Sequence, residues 1–182
     1  LLTYRPQYRD PLPEMKLGLQ GMRIGVMPDR DREGVSPEIL NAYDAALKVC
    51  EAAGAHVTNI ELPVPIKDLA GPVGHIIHAE GYAHYSHLVD DLASPLDEDV
   101  RARLASARGT AAKDYVLAKR EQQRLIKAFH EAMANVDVLL TPTTTEPAPV
   151  VSEIDQTGTP ALFTRAVNMA EMCACAAPIG FS

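Results

Sequence analysis

Apolar positions along this chain fall in short runs and helical stripes, and their spacing predicts alternating strands and helices. Residues 22–27 form a brief apolar run ending at Pro28-Asp29, which reads as a buried strand. Ser36-Pro37-Glu38 then supplies a helix N-cap, a proline at the first helical position and an acid in the first turn. Ile39, Tyr43, Leu47 and Cys50 share one helical face, and Gly54 ends that helix. Residues 57–62 alternate as a strand does and are closed by Pro63. Strand, helix and strand make a βαβ unit with parallel strands and a right-handed crossover. Three helices are predicted next, over 74–92, from Pro95-Leu96-Asp97 to Arg108, and over 113–134, the last with a core stripe of Leu125, Phe129 and Met133.

Residues 136–140 read as another short buried strand. It runs into 141–149, where four threonines and three prolines in nine residues exclude helix and central strand. In α/β folds, loops leaving the carboxyl ends of strands are where ligands bind, so this hydroxyl-rich loop is either a pocket wall or a rigid surface crossover. Within residues 157–172, the stretch from Phe163 to Met169 is predicted to be helical. Residues 173–177 are small and apolar, fit for a packed strand or a tight helix, until Pro178-Ile179-Gly180 breaks them. Residues 1–16 have no period and read as an extended arm or linker. The class is α/β, part of a mixed, mostly parallel sheet flanked by helices.

Composition narrows the function. With 47% hydrophobic and 23% charged residues in 182, the chain is ordinary globular material. Its formal net charge of -7 carries no electrostatic footprint for nucleic acid or an anionic membrane, so neither is an expected partner. Arg101, Arg103, Arg108, Lys113, Lys119, Arg120, Arg124 and Lys127 alternate with acids and alanines, the pattern of a solvated helix face. Three cysteines without framework spacing argue against a disulfide scaffold and for a reducing, cytoplasmic setting. No signal peptide or bilayer-spanning stretch is visible.

The search for chemistry finds no nucleophile. Gly34-Val35-Ser36-Pro37-Glu38 fails the G-x-S-x-G pattern at its last position, and Ser36 is better read as a cap. No phosphate loop or dinucleotide fingerprint is present, and no cofactor is expected. Cys173 and Cys175 lie among apolar neighbours with no charge beside them, and read as buried small hydrophobes. Of six histidines, His75, His78, His84 and His87 fall in one predicted helix. His75 and His78 point away from the other two, which excludes four ligands on one metal. Glu80, His84 and His87 lie within about 60° of one another. They are a candidate metal set, or simply a polar helix face with a Glu80–His84 pair.

Taken together, these segments resemble the amidase-signature family. Leu19-Gln20-Gly21-Met22-Arg23-Ile24-Gly25-Val26 is similar to that family's "LkGlrIGV" strand. The spacing to Val35-Ser36-Pro37-Glu38 matches, as do Ala53-Gly54-Ala55, Glu61-Leu62-Pro63, Ala79-Glu80, the region from Arg103 to Tyr115, and the stretch from Asp137 to Pro149 with its "DVLLTPTT" and "PAP". Phe163-Thr164-Arg165 to Asn168, followed by Ala177-Pro178-Ile179-Gly180-Phe181-Ser182, resembles the family's "N..g.pa.s.P.Gf". Many members have a glycine-proline pair after the asparagine, where this chain has Glu171-Met172-Cys173.

The resemblance implies a parent enzyme that hydrolyses linear carboxamides. An acyl-enzyme would form through a Ser–Ser–Lys triad, with backbone N–H groups as the oxyanion hole. None of those groups has a match here, so no catalytic residue is assigned and the chain alone is expected to be inactive. It is expected to be the C-terminal portion of an amidase domain over 19–182, incomplete at both ends, after an arm over 1–18. By motif position, Thr143 and Asn168 are its substrate-pocket candidates. Two alternatives stand beside this reading: an A-type subunit of a glutamyl- or aspartyl-tRNA amidotransferase, and a non-catalytic or metal-binding α/β domain. Uncovered sheet edges predict self-association or a homodimer.

Overall fold

A computed structural model of the chain describes residues 18–154 and 162–180. Strand β1 (Arg23–Val26) leads through a turn to helix α1 (Pro37–Ala52), strand β2 (His56–Asn59) and helices α2 (Ala70–Val89), α3 (Glu98–Ala105) and α4 (Ala112–Ala132). Strand β3 (Val138–Leu140) and helix α5 (Leu162–Met169) complete the order. The three strands form one sheet in the order β2-β1-β3, with both pairings parallel. Pairing reaches only Asn59, shorter than the predicted 57–62, because β1 offers four residues, Arg23 to Val26, as partners.

Local chemistry sets the ends of α1. The Ser36 hydroxyl accepts from the Ile39 N–H (3.3 Å), and Pro37 occupies the first turn. Gly54, just past the helix, has φ of 92°, a conformation glycine takes without a Cβ clash. The core lies where α1, α2, α4 and α5 meet the strand ends, and it includes Met27, Tyr43, Ile66, Leu69, Leu125 and Phe129. Burial of each large apolar side chain contributes on the order of 1.5–3 kcal/mol. Leu125 and Phe129 fill it as their stripe predicts, while Met133 is only half-buried. Helix α2 packs against α3, α4 and α5.

Two expectations are corrected. Arg101 is not on a solvated face; it is 6% exposed. Its Nη1 donates to the carbonyls of Leu88 (2.8 Å), Val89 (2.9 Å) and Asp91 (3.0 Å), and its Nη2 to the Ser94 carbonyl (3.0 Å). It gathers carbonyls of the last turn of α2 and of the turn that follows it, which charge alternation alone could not indicate. Cys173 and Cys175 are exposed rather than buried, and residues 172–180 form neither strand nor helix. Met172 packs against the core, while residues 173–180 join no ladder and are exposed. The helix predicted from Phe163 to Met169 is α5, while the predicted arm over 1–16 lies outside the described residues.

Candidate functional site

A cleft of about 380 Å³ opens between α2, α4 and the end of α5. Helix α2 presents Val73, Ile76, Ile77 and Glu80 to it, at the i, i+3, i+4 and i+7 positions of one helical face. Helix α4 adds Lys119 and Gln122, and the end of α5 adds Asn168, Met169 and Glu171. Val73, Ile76 and Met169 are buried and make an apolar floor; Asn168 and Glu171 lie at the rim, Glu171 exposed.

Its polar groups are partly committed to one another. The Tyr115 hydroxyl donates to Glu80 Oε1 (2.8 Å), and that bond raises the tyrosine's pKa above its ordinary value. Lys119 Nζ donates to Oε1 of the buried Gln122 (2.5 Å). Gln122 was legible in principle: with Ala118, Leu125 and Phe129 it follows the buried stripe of α4, a polar residue among core positions. Volume, apolar floor and a few convergent polar groups are what small-molecule sites share. No serine, threonine, cysteine or histidine lines this cleft; its ionisable groups are Glu80, Lys119 and Glu171.

The backbone at the end of α5 is unusual. Glu171 has φ of 52°, and it is the single positive-φ residue other than glycine among the described residues. The Glu171 N–H donates to the Asn168 carbonyl (3.3 Å) and the Met172 N–H to the Val167 carbonyl (3.0 Å), a helix closure built around a left-handed residue. This is the stretch where the resemblance expected a glycine.

Thr143, the other pocket candidate, is exposed and lines neither this cleft nor a smaller one of about 190 Å³ at the carboxyl ends of β1 and β2. Asn168 lines the first of these clefts and Thr143 lines neither. The loop carrying Thr143 is anchored instead: the Ser36 N–H donates to the Thr145 carbonyl (2.8 Å), and Thr144 Oγ1 donates to the Glu146 carbonyl (2.8 Å).

Other candidate chemistry does not assemble. Among the described residues, no group of three or more His, Cys, Asp or Glu side chains is placed to hold a metal ion, so Glu80, His84 and His87 do not form a ligand set. Ser106 Oγ lies 3.3 Å from His78 Nδ1, but the hydroxyl donates to the Arg103 carbonyl (2.6 Å). Burial lowers the pKa of His78, and the charges of Arg103, Arg165 and His75 lower it further. A serine whose proton is already given to a carbonyl is not an activated nucleophile. No helix among the described residues is long and apolar enough to cross a membrane.

Fold and cleft thus define an α/β segment with a part-apolar cleft that no serine, threonine or cysteine lines. The family model for Amidase matches residues 4–181, and the chain belongs to that family. It is 28% identical over 143 residues to an amidase of Pseudomonas putida, covering 79% of this chain and 30% of the relative. It is 26% identical over 204 residues to the A-type component of the glutamyl-tRNA(Gln) amidotransferase of Carboxydothermus hydrogenoformans, covering 96% of this chain and 42% of the relative. Its fold is similar to that of a bacterial aryl acylamidase of the amidase-signature family (TM-score 0.69, 16% identity), over 91% of this chain and 38% of that one. The chain spans less than half the length of each of these relatives.

Proposed function

We propose that this chain is part of an amide hydrolase and forms one wall of its acyl or leaving-group pocket, while the nucleophile and base come from polypeptide outside these 182 residues. The observation that carries the proposal is the family match over residues 4–181, set beside a cleft lined by no serine, threonine or cysteine. In this reading the cleft between α2, α4 and α5 meets the substrate, with Asn168 as a polar contact at its rim. Thr143 contributes from the loop after β3, on a separate part of the surface. The chain alone hydrolyses no amide. Self-association fits the exposed Val138 on an edge strand and the highly exposed Val150 and Val151. Three free cysteines suit a reducing cytoplasm.

The test is ammonia release from simple aliphatic and aryl amides by the purified chain, beside its mass by light scattering. No release above buffer, from an oligomeric species, is expected. Turnover by the isolated chain would overturn the division of labour proposed here, and a stable monomer would overturn the self-association. The similarity to an amidotransferase component supports a second reading, in which the whole protein transfers ammonia within a complex. Dependence of its activity on ATP, tRNA and co-purifying partners would favour that reading over free hydrolysis.

A further inference from the structure

Glu171 holds a conformation that glycine takes freely and that crowds a side-chain-bearing residue, with φ of 52°. The closure of α5 around it uses only backbone groups, which glycine would provide with less strain. The carboxylate is therefore not explained by the local fold, and strained positions of this kind cluster at functional sites. It lines the cleft and is exposed, and no hydrogen bond or ion pair engages it among the described residues. Nearby, Glu80 accepts from Tyr115, and Lys119 donates one bond to the uncharged Gln122. Behind them lies the apolar floor of Val73, Ile76 and Met169.

We propose that Glu171 is a specificity-determining residue, selecting for this cleft a small amide with an apolar stem and a terminal ammonium group. The inference rests on the reading of the cleft as a substrate wall. An ionised carboxylate only accepts hydrogen bonds, so its complement is a donor. Two carboxylates against one ammonium in the lining, on a chain of net charge -7, make that donor a cation.

The test titrates 6-aminohexanamide and its neutral analogue hexanamide into the chain and follows the NMR resonances of Ile77 and Asn168. The cationic probe is expected to bind more tightly by roughly fivefold, the size of one partly screened charge contact. Glu171→Gln, which keeps shape and removes charge, should erase that preference without changing the melting temperature. Glu171→Gly should erase it too and raise the melting temperature by relieving the left-handed strain. Equal binding of both probes to the native chain sinks the selectivity while leaving the pocket reading intact. No perturbation by either probe removes the pocket reading and this inference with it. A preference that survives Glu171→Gln, or a lower melting temperature for Glu171→Gly, overturns the role assigned to this residue.

Discussion

Asp137 grips Arg23 through main chain and side chain at once. Its Oδ2 accepts from the Arg23 backbone N–H (2.8 Å), its Oδ1 from the guanidinium (2.6 Å), and its own N–H donates to the Arg23 carbonyl (2.8 Å). The pair stands immediately before the first parallel partners, Ile24 and Val138, and so sets where the β1–β3 ladder begins. The side-chain and backbone hydrogen bonds from Arg23 hold the Asp137 pKa down at about 2, from an ordinary 3.8.

A pH dependence follows from that shift. A carboxyl depressed in the folded state stabilises it above the unfolded pKa, and loses that contribution as pH falls through the folded value. Melting temperatures of the native chain and Asp137→Asn should differ most above pH 3.8 and converge toward pH of about 2. Both side chains are about half exposed, so the difference should be small and should shrink with added salt. A gap that stays constant across this range would show that the charge of Asp137 does not matter.

Arg101 should be far less tolerant. Replacing it with methionine keeps much of its length but removes a donor from the carbonyls of Leu88, Asp91 and Ser94, which keep their bonds from Ser94 Oγ, the Ser94 N–H and the Leu96 N–H, and leaves the buried Val89 carbonyl without the guanidinium. An unsatisfied buried acceptor costs ~1–3 kcal/mol where water cannot reach it, and the Val89 carbonyl is the one so placed, so a loss of about 1–3 kcal/mol is expected. Arg101→Lys should recover only part, since one ammonium cannot reproduce the two-pronged reach of a guanidinium. Urea unfolding midpoints of the three chains measure this. Equal stability of the arginine and methionine forms would mean that solvent satisfies those carbonyls.

These two arginines also mark how far the sequence could be read. Helix α1 was legible because its start and stop are local: a capping serine, a proline and a glycine lie within the segment they define. The Leu125–Phe129 stripe was legible because its period is local too. Arg101 was not, because what buries it is the meeting of α3 with the end of α2 and the turn after it, and nothing in its neighbours encodes that meeting. Asn168 reached the cleft through resemblance rather than pattern. The left-handed backbone of Glu171 had no sequence signal beyond the absent glycine, since glutamate rarely adopts it.

Tyr43 shows a similar division. Its ring belongs to the predicted face of α1, but its hydroxyl accepts from the Met27 N–H (3.0 Å) and donates to the Leu140 carbonyl (2.9 Å). It thereby ties together the ends of the two neighbouring strands β1 and β3. Burial raises its pKa above the ordinary value, so the hydroxyl keeps its proton at neutral pH. Tyr43→Phe leaves the ring's packing and removes both bonds, at an expected cost of ~1–3 kcal/mol. Hydrogen exchange should accelerate at the Met27 amide in this variant. Unchanged exchange there would place the strand ends under the control of other contacts.

Gly54 offers a way to separate backbone strain from steric conflict. Its φ of 92° is unfavourable for any residue with a side chain, and a Cβ built there would collide with the amide group of Gln20. Gly54→Ala should therefore destabilise the chain by about 1–3 kcal/mol. The Gln20 side chain is flexible and can give way, whereas the backbone is held by the Gly21 N–H donating to the Gly54 carbonyl (2.8 Å) and the Gly54 N–H donating to the Glu51 carbonyl (2.9 Å). In a double-mutant cycle, Gln20→Ala should rescue Gly54→Ala only in part, because it removes the collision and leaves the strained φ. Full rescue would assign the whole cost to the collision. No rescue at all would assign it to the backbone, and would mean that Gln20 moves aside without loss.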